Sequence, residues 1–354
     1  MKRILVEGAG GSAGINFIKS LRLAPEKFYI VATDINKYHL ELVDADKKYI
    51  VPKCTEKDYI NKVNKIIERE KIEFLHPQPD SVVAVISENR EKIKTKTFLP
   101  SKKTIKICHN KMVLNKVLSD ASVPVPESFQ IENERCINEI LSYLLSKYKE
   151  KAWLRAIRGA GSRAALPVND VETIKIWIRH WKKRMGLDYK DFMLAEYLPG
   201  KEFAFQSIWK NGELITSQAR ERMEYVFANL TASGQSSSPT VARTVKRDDV
   251  NKIATEAVLA VDKNATGVFC IDLKENKDGV PCVTEINPGR FFTTNNFFTE
   301  AGNNMPYYYI KMAFNETIPE LPKYNSIPEG IYWIRLMDGG HKLIKEGAWS
   351  SERI

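Results

Sequence analysis

Residues 272–287 read DLKENKDGVPCVTEIN, and the reading of this stretch decides the fold. Asp278-Gly279 is a tight-turn signal between apolar runs at residues 267–273 and 281–286, which predicts a β-hairpin. In such a hairpin Asp272 and Glu285 can meet across the ladder. Glu285 and Asn287 are two apart and therefore point to one face. Three oxygen-bearing side chains on one sheet face suit Mg²⁺, a hard cation that prefers oxygen ligands and phosphate partners. An ordinary hairpin with exposed acids would use the same residues. The apolar flanks VFCI (268–271) and PCV (281–283), however, put these polar groups at the edge of a core.

Two segments upstream bear on the same chemistry. Residues 154–164 read LRAIRGAGSRA, a strand carrying Arg155 that runs into a loop with Gly159, Gly161, Ser162 and Arg163. Glycines let backbone N–H groups close on phosphate oxygens, and arginine adds charge-assisted hydrogen bonds. A flexible surface turn explains the same residues equally well. Residues 194–205 read LAEYLPGKEFAF, with Glu196 and Glu202 on either side of a Pro199-Gly200 turn. Backbone groups at such a hinge can read an adenine edge and a carboxylate can hold ribose hydroxyls, or the pair is simply two exposed glutamates.

Farther out, the chain changes character near residue 108. Residues 4–7, 29–34, 49–51, 73–76 and 97–99 read as short strands, and residues 13–23, 59–69 and 82–89 as helices. Strands alternating with helices imply right-handed crossovers and a parallel, Rossmann-like sheet. A helix follows at residues 111–119. Beyond it, helices at 137–148, 171–185 and 250–259 mix with antiparallel strands at 152–157, 203–209, 214–219, 223–227, 267–273 and 281–286. The last 50 residues carry a helix at 307–314 and a strand at 331–336. Near the start, Gly8-Ala9-Gly10-Gly11-Ser12-Ala13-Gly14 follows a strand, and Asp34 ends the next one. Taken alone, that is a dinucleotide fingerprint and would point to an NAD(P)-dependent oxidoreductase. His76-Pro77-Gln78-Pro79-Asp80 ends another strand and offers substrate contacts or a simple turn.

The three central segments, in this order, resemble the ATP-grasp superfamily and most closely its carbamoyl phosphate synthetase-like branch, over residues 1–290. The resemblance implies a pre-ATP-grasp domain at 1–108 and an ATP-grasp domain at 109–304 with a lid at about 125–194. Residues 305–354 would complete the fold. It implies ATP phosphates on Lys111 and Arg155, closed over by Gly159, Gly161 and Ser162. The hinge Glu196-Tyr197-Leu198 and Glu202 would take adenosine, and Asp272, Glu285 and Asn287 would take Mg²⁺, with Mn²⁺ as a substitute. Arg290, with Arg220 or Arg222, would stabilise charge in transfer. Gly10, Gly11, Ser12, Asp80, Ser236 and Ser237 fall at the substrate end. Gln206 stands where many relatives carry an acid and receives no metal role. In such relatives the opening glycine loop usually binds no dinucleotide.

The reaction so implied is ADP-forming ligation of a carboxylate to an amine or ammonia through an acyl phosphate. The chain carries one such unit and no repeat, which favours a single-step ligase over carbamoyl phosphate synthesis. A nucleotide-binding regulatory protein without turnover is the other alternative. Among the 354 residues 43% are hydrophobic, with no apolar run near the ~20 needed to span a bilayer. The net charge of +10 is scattered through helices with interleaved acids, which suits small anionic substrates rather than nucleic acid. The N-terminus lacks the apolar core of a secretion signal. The five cysteines are odd in number and never spaced C-x-x-C, so reduced thiols in a cytoplasmic protein are expected. A homodimer is a family-based expectation.

Overall fold

Arg3–Glu7 (β1) is apolar on both faces at Ile4, Leu5 and Val6, as a parallel strand covered on both sides must be. The computed structural model describes residues 1–159, 164–234, 238–337 and 339–350. Tyr29–Asp34 (β2), Lys47–Ile50 (β3) and Phe74–Pro77 (β4) complete a parallel sheet of order β3-β2-β1-β4. Helices Ser12–Arg22 (α1), Lys37–Leu40 (α2), Tyr59–Glu70 (α3) and Asp80–Glu88 (α4) alternate with these strands. The period of two assigns the faces. Leu5, Val31 and Leu75 pack on Val63 and Ile67 of α3 and Ile86 of α4, whereas Val6 and Ile30 pack on Phe17 and Leu21 of α1.

Lys102–Cys108 (α5) and Lys111–Asp120 (α6) lead into a second sheet. It comprises Ser128–Gln130 (β5), Ala152–Ala156 (β6), Leu166–Val168 (β7) and Phe192–Glu196 (β8), in the order β5-β8-β6-β7 and antiparallel. Ile137–Tyr148 (α7) and Val171–Met185 (α8) cover one face, where Leu154, Phe192 and Leu194 meet Leu141, Ile174 and Ile178. The intervening Trp153, Arg155, Met193 and Ala195 consequently face the other way.

The third sheet has seven strands: Glu202–Lys210 (β9), Glu213–Tyr225 (β10), Pro239–Thr244 (β11), Gly267–Glu275 (β12), Pro281–Pro288 (β13), Ile331–Leu336 (β14) and Gly340–Lys345 (β15). Their order is β13-β12-β9-β10-β11-β14-β15. Asp248–Val261 (α9) packs Ala254, Ala257 and Val258 on Phe205, Phe269 and Ile271. On the opposite face Ala204, Val268 and Cys270 meet Phe291 and Phe292, together with Phe297 of Asn296–Glu300 (α10) and Tyr309 of Met305–Ala313 (α11). That cluster also contains Ile4, Val6 and Phe17, so the parallel sheet and the large antiparallel sheet share one core.

The architecture is the expected mixed α/β one: a parallel-sheet unit followed by two antiparallel units with helices. Two local expectations fail, and one helix is not anticipated. Residues 97–99 form no strand; only the isolated bridge Phe74–Lys96 pairs there, and Pro100 ends it. Residues 214–219 and 223–225 belong to one strand, β10, which ends at Tyr225 rather than 227 and whose polar middle is buried because Glu221 pairs with Arg243 and Arg222 with Asp272. Helix α5 is unassigned in the sequence reading because its alternating Thr104, Ile105 and Ile107 imitate a strand, although Ser101 caps it. Among the described residues no helix is long and apolar enough to cross a membrane.

Candidate active site

A cleft of about 910 Å³ opens between the inner face of the four-stranded antiparallel sheet β5-β8-β6-β7, the β12–β13 hairpin and the β1–α1 loop. The hairpin positions the acids. Asp272 and Glu285 are register partners across the antiparallel ladder, and a bulge follows immediately between Asp272 and Leu273. Asn287 lies on the same strand two residues on, and its amide donates to Asp272 Oδ2 at 3.4 Å.

Each of these three groups meets a cation from another element. Arg222 Nη2 on β10 contacts Asp272 Oδ1 at 2.5 Å. Glu285 receives Lys111 Nζ at 3.3 Å from the first turn of α6 and Arg155 Nη2 at 3.7 Å from β6. Arg290 donates to Asn287 Oδ1 at 2.6 Å and also pairs with Asp80 at the start of α4. Lys111 further donates to the Gly159 carbonyl at 3.0 Å, and Arg155 to the Thr284 carbonyl at 3.3 Å. Burial raises the Asp272 carboxyl against the pull of Arg222. Burial also pushes Glu285 upward, but Lys111, Arg155 and Arg290 together hold it below the ordinary carboxylate range. Burial lowers Lys111 despite the facing Glu285.

The donor set is therefore two carboxylates and one amide, all hard oxygen ligands of the kind Mg²⁺ accepts. Among the described residues no group of three or more His, Cys, Asp or Glu side chains is placed to hold a metal ion alone. A cation here needs further oxygens from a ligand, and phosphate oxygens are of the kind Mg²⁺ accepts. Four basic side chains against three acids, Asp272, Glu285 and the Asp80 that pairs with Arg290, leave this cluster positive, which also favours a polyanion.

The end of the cleft beside β6 and β8 is apolar. Trp153 and Arg155, two apart on β6, both line the cleft, with Met193, Ala195, Leu198 and Ile286 nearby. Tyr197 sits against Trp153 with ring centroids 6.3 Å apart. Glu196 turns its carboxylate toward the Glu127 N–H at 3.4 Å, and burial raises its carboxyl. Glu202 receives Lys274 at 2.7 Å and the Tyr225 hydroxyl. Trp153 is the principal residue the sequence reading omits. The period-two spacing to Arg155 would have found it.

At the other end Gly11 and Ser12 line the cleft, but Gly10 does not. Gly10 instead donates its N–H to Asp34 Oδ2 at 2.9 Å. His76 is no substrate contact: it is fully buried, stacked on Phe17 with centroids 4.1 Å apart, and hydrogen-bonded to Gln78 at 2.8 Å. Burial pushes its pKa down to about 3, so it is neutral. Gln78 lines the cleft, as does His109, whose Nε2 has no hydrogen-bond partner among the described residues. Gly161, Ser162, Ser236 and Ser237 lie outside the described residues.

Arg220 departs from expectation. It does not point into the cleft beside Arg222 but lies fully buried beneath Phe292 and Phe298, whose rings are 5.1 and 5.3 Å from its guanidinium carbon. Nη1 reaches the Thr294 carbonyl at 3.4 Å, while Nε and Nη2 have no partner among the described residues. Burial, with Arg222 close by, lowers its pKa to about 9, leaving it charged at neutral pH. Cation–π contact returns about 0.5–2 kcal/mol, whereas an unpaired buried charge costs roughly 3–5 kcal/mol. Two such rings and the Thr294 carbonyl offset part of that cost, and they leave Nε and Nη2 without acceptors among the described residues.

Two family profiles match the chain. That of the PylC-like N-terminal domain covers residues 4–98, and one described as an ATP-grasp in the biosynthetic pathway with Ter operon covers residues 188–330. No curated protein matches the chain. Among solved structures, the biotin carboxylase domain of Hydrogenobacter thermophilus 2-oxoglutarate carboxylase, bound to MgADP, ADP and bicarbonate, is 17% identical with a TM-score of 0.70, covering 94% of this chain and 73% of its own. The carboxyaminoimidazole ribonucleotide synthase of Aspergillus clavatus, complexed with ATP, is 15% identical with a TM-score of 0.69, covering 94% and 81%. The L-amino acid ligase of Bacillus licheniformis is 13% identical with a TM-score of 0.65, covering 94% and 79%. Likeness at these identities establishes the shared fold.

Proposed function

We propose that this chain, which belongs to the ATP-grasp superfamily and opens with a PylC-like N-terminal segment, is an ATP-dependent ligase that joins a carboxylate to an amine or ammonia and releases ADP and phosphate. The observation that carries this reading is the Asp272–Glu285 register pair with Asn287 beside it, ringed by Lys111, Arg155, Arg222 and Arg290. Bound there, Mg²⁺ would screen the charge on the terminal phosphates of ATP.

The remaining roles belong to the chain itself. Trp153, Met193, Ala195 and Leu198 enclose adenine, the Glu196-Tyr197-Leu198 backbone reads its edge, and Glu202 holds ribose. Lys111 and Arg155 exchange the Glu285 carboxylate for phosphate oxygens, an exchange of one anion for another that leaves neither cation exposed to an unpaired interior. Gly159 and the residues after it exclude water. Arg290 and Arg222, at the boundary between the acids and the substrate end, stabilise charge as the phosphoryl group moves to the substrate carboxylate. The amine then displaces phosphate from the acyl phosphate. These are contributions of positioning and electrostatics, which dominate phosphoryl transfer. No thiol takes part: all five cysteines are free, and burial raises Cys108, Cys270 and Cys282.

In this reading the pre-ATP-grasp domain spans 1–108, the ATP-grasp domain 109–304 with its lid at about 125–194, and residues 305–354 complete the fold. Gly11, Ser12 and Asp80 belong to the substrate end. Cytoplasmic residence accords with the unpaired cysteines. The test is a screen of amino acids and small carboxylates with ATP and Mg²⁺, recording ADP release and product mass. ADP release that requires a carboxylate and an amine, with a condensation product, is expected. ADP release indifferent to every carboxylate and amine would overturn the ligase reading.

A further inference from the structure

A guanidinium that is wholly buried and carries no counter-ion needs an explanation, because natural interiors pair their charges. Arg220 is such a group. The two donors it leaves unpartnered among the described residues, Nε and Nη2, are those of the guanidinium's side-on edge. Their parallel N–H bonds match the two oxygens of a planar carboxylate. Thr294 supplies a third such donor close by: its backbone carbonyl accepts from Arg220 Nη1, and its own hydroxyl is buried without a partner among the described residues.

The surroundings are short of negative charge. The ionisable groups that act most on Arg220 are Arg222, Cys270, Asp272 and Arg335. Asp272 is already engaged by Arg222, and Cys270 is held as the neutral thiol by burial. Arg335 donates to the Pro239 carbonyl at 2.9 Å and to Ser238 Oγ at 2.7 Å, neither of them an anion. Three guanidinium groups thus gather about Asp272, and the one further carboxylate among them, Glu202, acts on Arg222. What separates Arg220 from the cleft is Phe292, which lines the cleft and lies 5.1 Å from the Arg220 guanidinium carbon and 5.2 Å from that of Arg222.

We propose that the side-on edge of Arg220 and the Thr294 hydroxyl form the receptor for a carboxylate of the substrate, reached when the Phe292 ring moves aside. This assignment rests on the ligase reading and names the chemistry that its acid substrate must present at this point. Arg222 and Asp272, immediately beside the receptor, put that carboxylate next to the phosphate-binding groups. The same geometry makes the substrate-free protein carry an uncompensated charge, so the receptor residues work against stability until the anion arrives.

That opposition is the test. Thermal unfolding would be followed for the full chain, Arg220→Met and Thr294→Val, without nucleotide. Formate, acetate or bicarbonate would be titrated at constant ionic strength, with chloride as reference. In chloride both variants should melt at or above the unsubstituted protein, since each removes an unsatisfied buried group. Formate and acetate should raise the melting temperature of the unsubstituted protein saturably. Their apparent affinity should fall roughly ten- to hundred-fold in Arg220→Met and less in Thr294→Val, in line with loss of charge-assisted bonds. A response to bicarbonate alone would overturn the carboxylate assignment. So would no anion response at all, or an undiminished one in the variants. Should Arg220→Met fail to fold, Thr294→Val and Arg220→Lys, which keeps the charge but not the fork, carry the test. Stabilisation by MgATP should persist in every variant. Its loss would count against the nucleotide site, not against the receptor.

Discussion

Two segments of this chain look like nucleotide sites, the glycine-rich turn after β1 and the hairpin β12–β13, and they differ in what their polar groups face. At the hairpin, Asp272, Glu285 and Asn287 face the cleft and meet Arg222, Lys111, Arg155 and Arg290, which arrive from separate elements. At the glycine turn the key acid is already engaged. Asp34 accepts from the N–H groups of Gly10 and Asn36, both at 2.9 Å, so it closes the turn rather than awaiting a ribose. The glycines answer to packing. A Cβ on Gly8, at φ +67°, would meet the Pro79 ring at 2.3 Å, and one on Gly14 would meet the Ala9 backbone at 2.6 Å. A motif signals a ligand when its polar groups face a cleft and meet cations from other elements, which an incoming anion can take over; the acid of the glycine turn instead closes its own turn.

The comparison breaks first at the hairpin. Glu285→Gln should lower Mg²⁺-dependent ADP formation on the order of 10²–10³-fold, comparable to losing one preorganised electrostatic partner. Circular dichroism should show the fold retained, because Gln keeps the shape. An activity within a few-fold of the unsubstituted protein would move the site elsewhere.

The glycine-turn side is tested by stability. Glu7, the last residue of β1, is fully buried; one oxygen accepts from Tyr59 at 2.7 Å and the other has no partner among the described residues. Burial raises its pKa from 4.5 to about 7, with Tyr59 and Thr33 opposing and Asp34 adding to the rise. The folded protein therefore holds a proton that the unfolded chain releases above pH 4.5. The contribution is complete at low pH and is lost as the pH rises through 7, by about 3 kcal/mol in all. Glu7→Gln should gain stability over the parent in denaturant melts at pH 8 and lose that advantage toward pH 5. Parallel pH slopes for the two proteins would show Glu7 to be ionised throughout.

Two smaller effects sharpen the contrast. Trp153→Ala should raise the KM for ATP roughly ten- to hundred-fold with little change in kcat, since stacking on a base is worth about 1–3 kcal/mol. A fall in kcat with unchanged KM would place Trp153 away from adenine. Asp34→Asn should change ATP-dependent turnover by no more than about three-fold, as a substitution outside the cleft chemistry does. NADH fluorescence should report no tight binding in either protein. Tight NADH binding lost on that substitution would restore the dinucleotide reading of the turn.

The hairpin was legible because everything that defines it is local. Asp272, Glu285 and Asn287 lie within sixteen residues, and a turn plus a period of two fixes their mutual geometry. What surrounds them was not. The Arg222–Asp272 pair joins residues 50 apart and the Arg290–Asp80 pair residues 210 apart, so only tertiary structure shows that each acid already has a partner. The same limit misjudged Arg220. Its strand neighbour Arg222 does share its face, but Phe292 comes from beyond the hairpin to cover it. The split of β10 had a related cause: a run of three charged residues, Arg220-Glu221-Arg222, reads as a break until Arg243 and Asp272 are seen to neutralise it.

The central claim is that the β12–β13 hairpin holds Mg²⁺ together with the phosphates of a nucleotide. Calorimetric titration with a non-hydrolysable ATP analogue, with and without Mg²⁺, tests it most directly on the full chain and on Glu285→Gln. Mg²⁺ should tighten binding of the analogue to the unsubstituted protein by at least about ten-fold and leave the variant almost unaffected, while Mg²⁺ alone gives no measurable heat to either. Binding that ignores Mg²⁺ in the unsubstituted protein, or equal Mg²⁺ dependence in the two proteins, would contradict it.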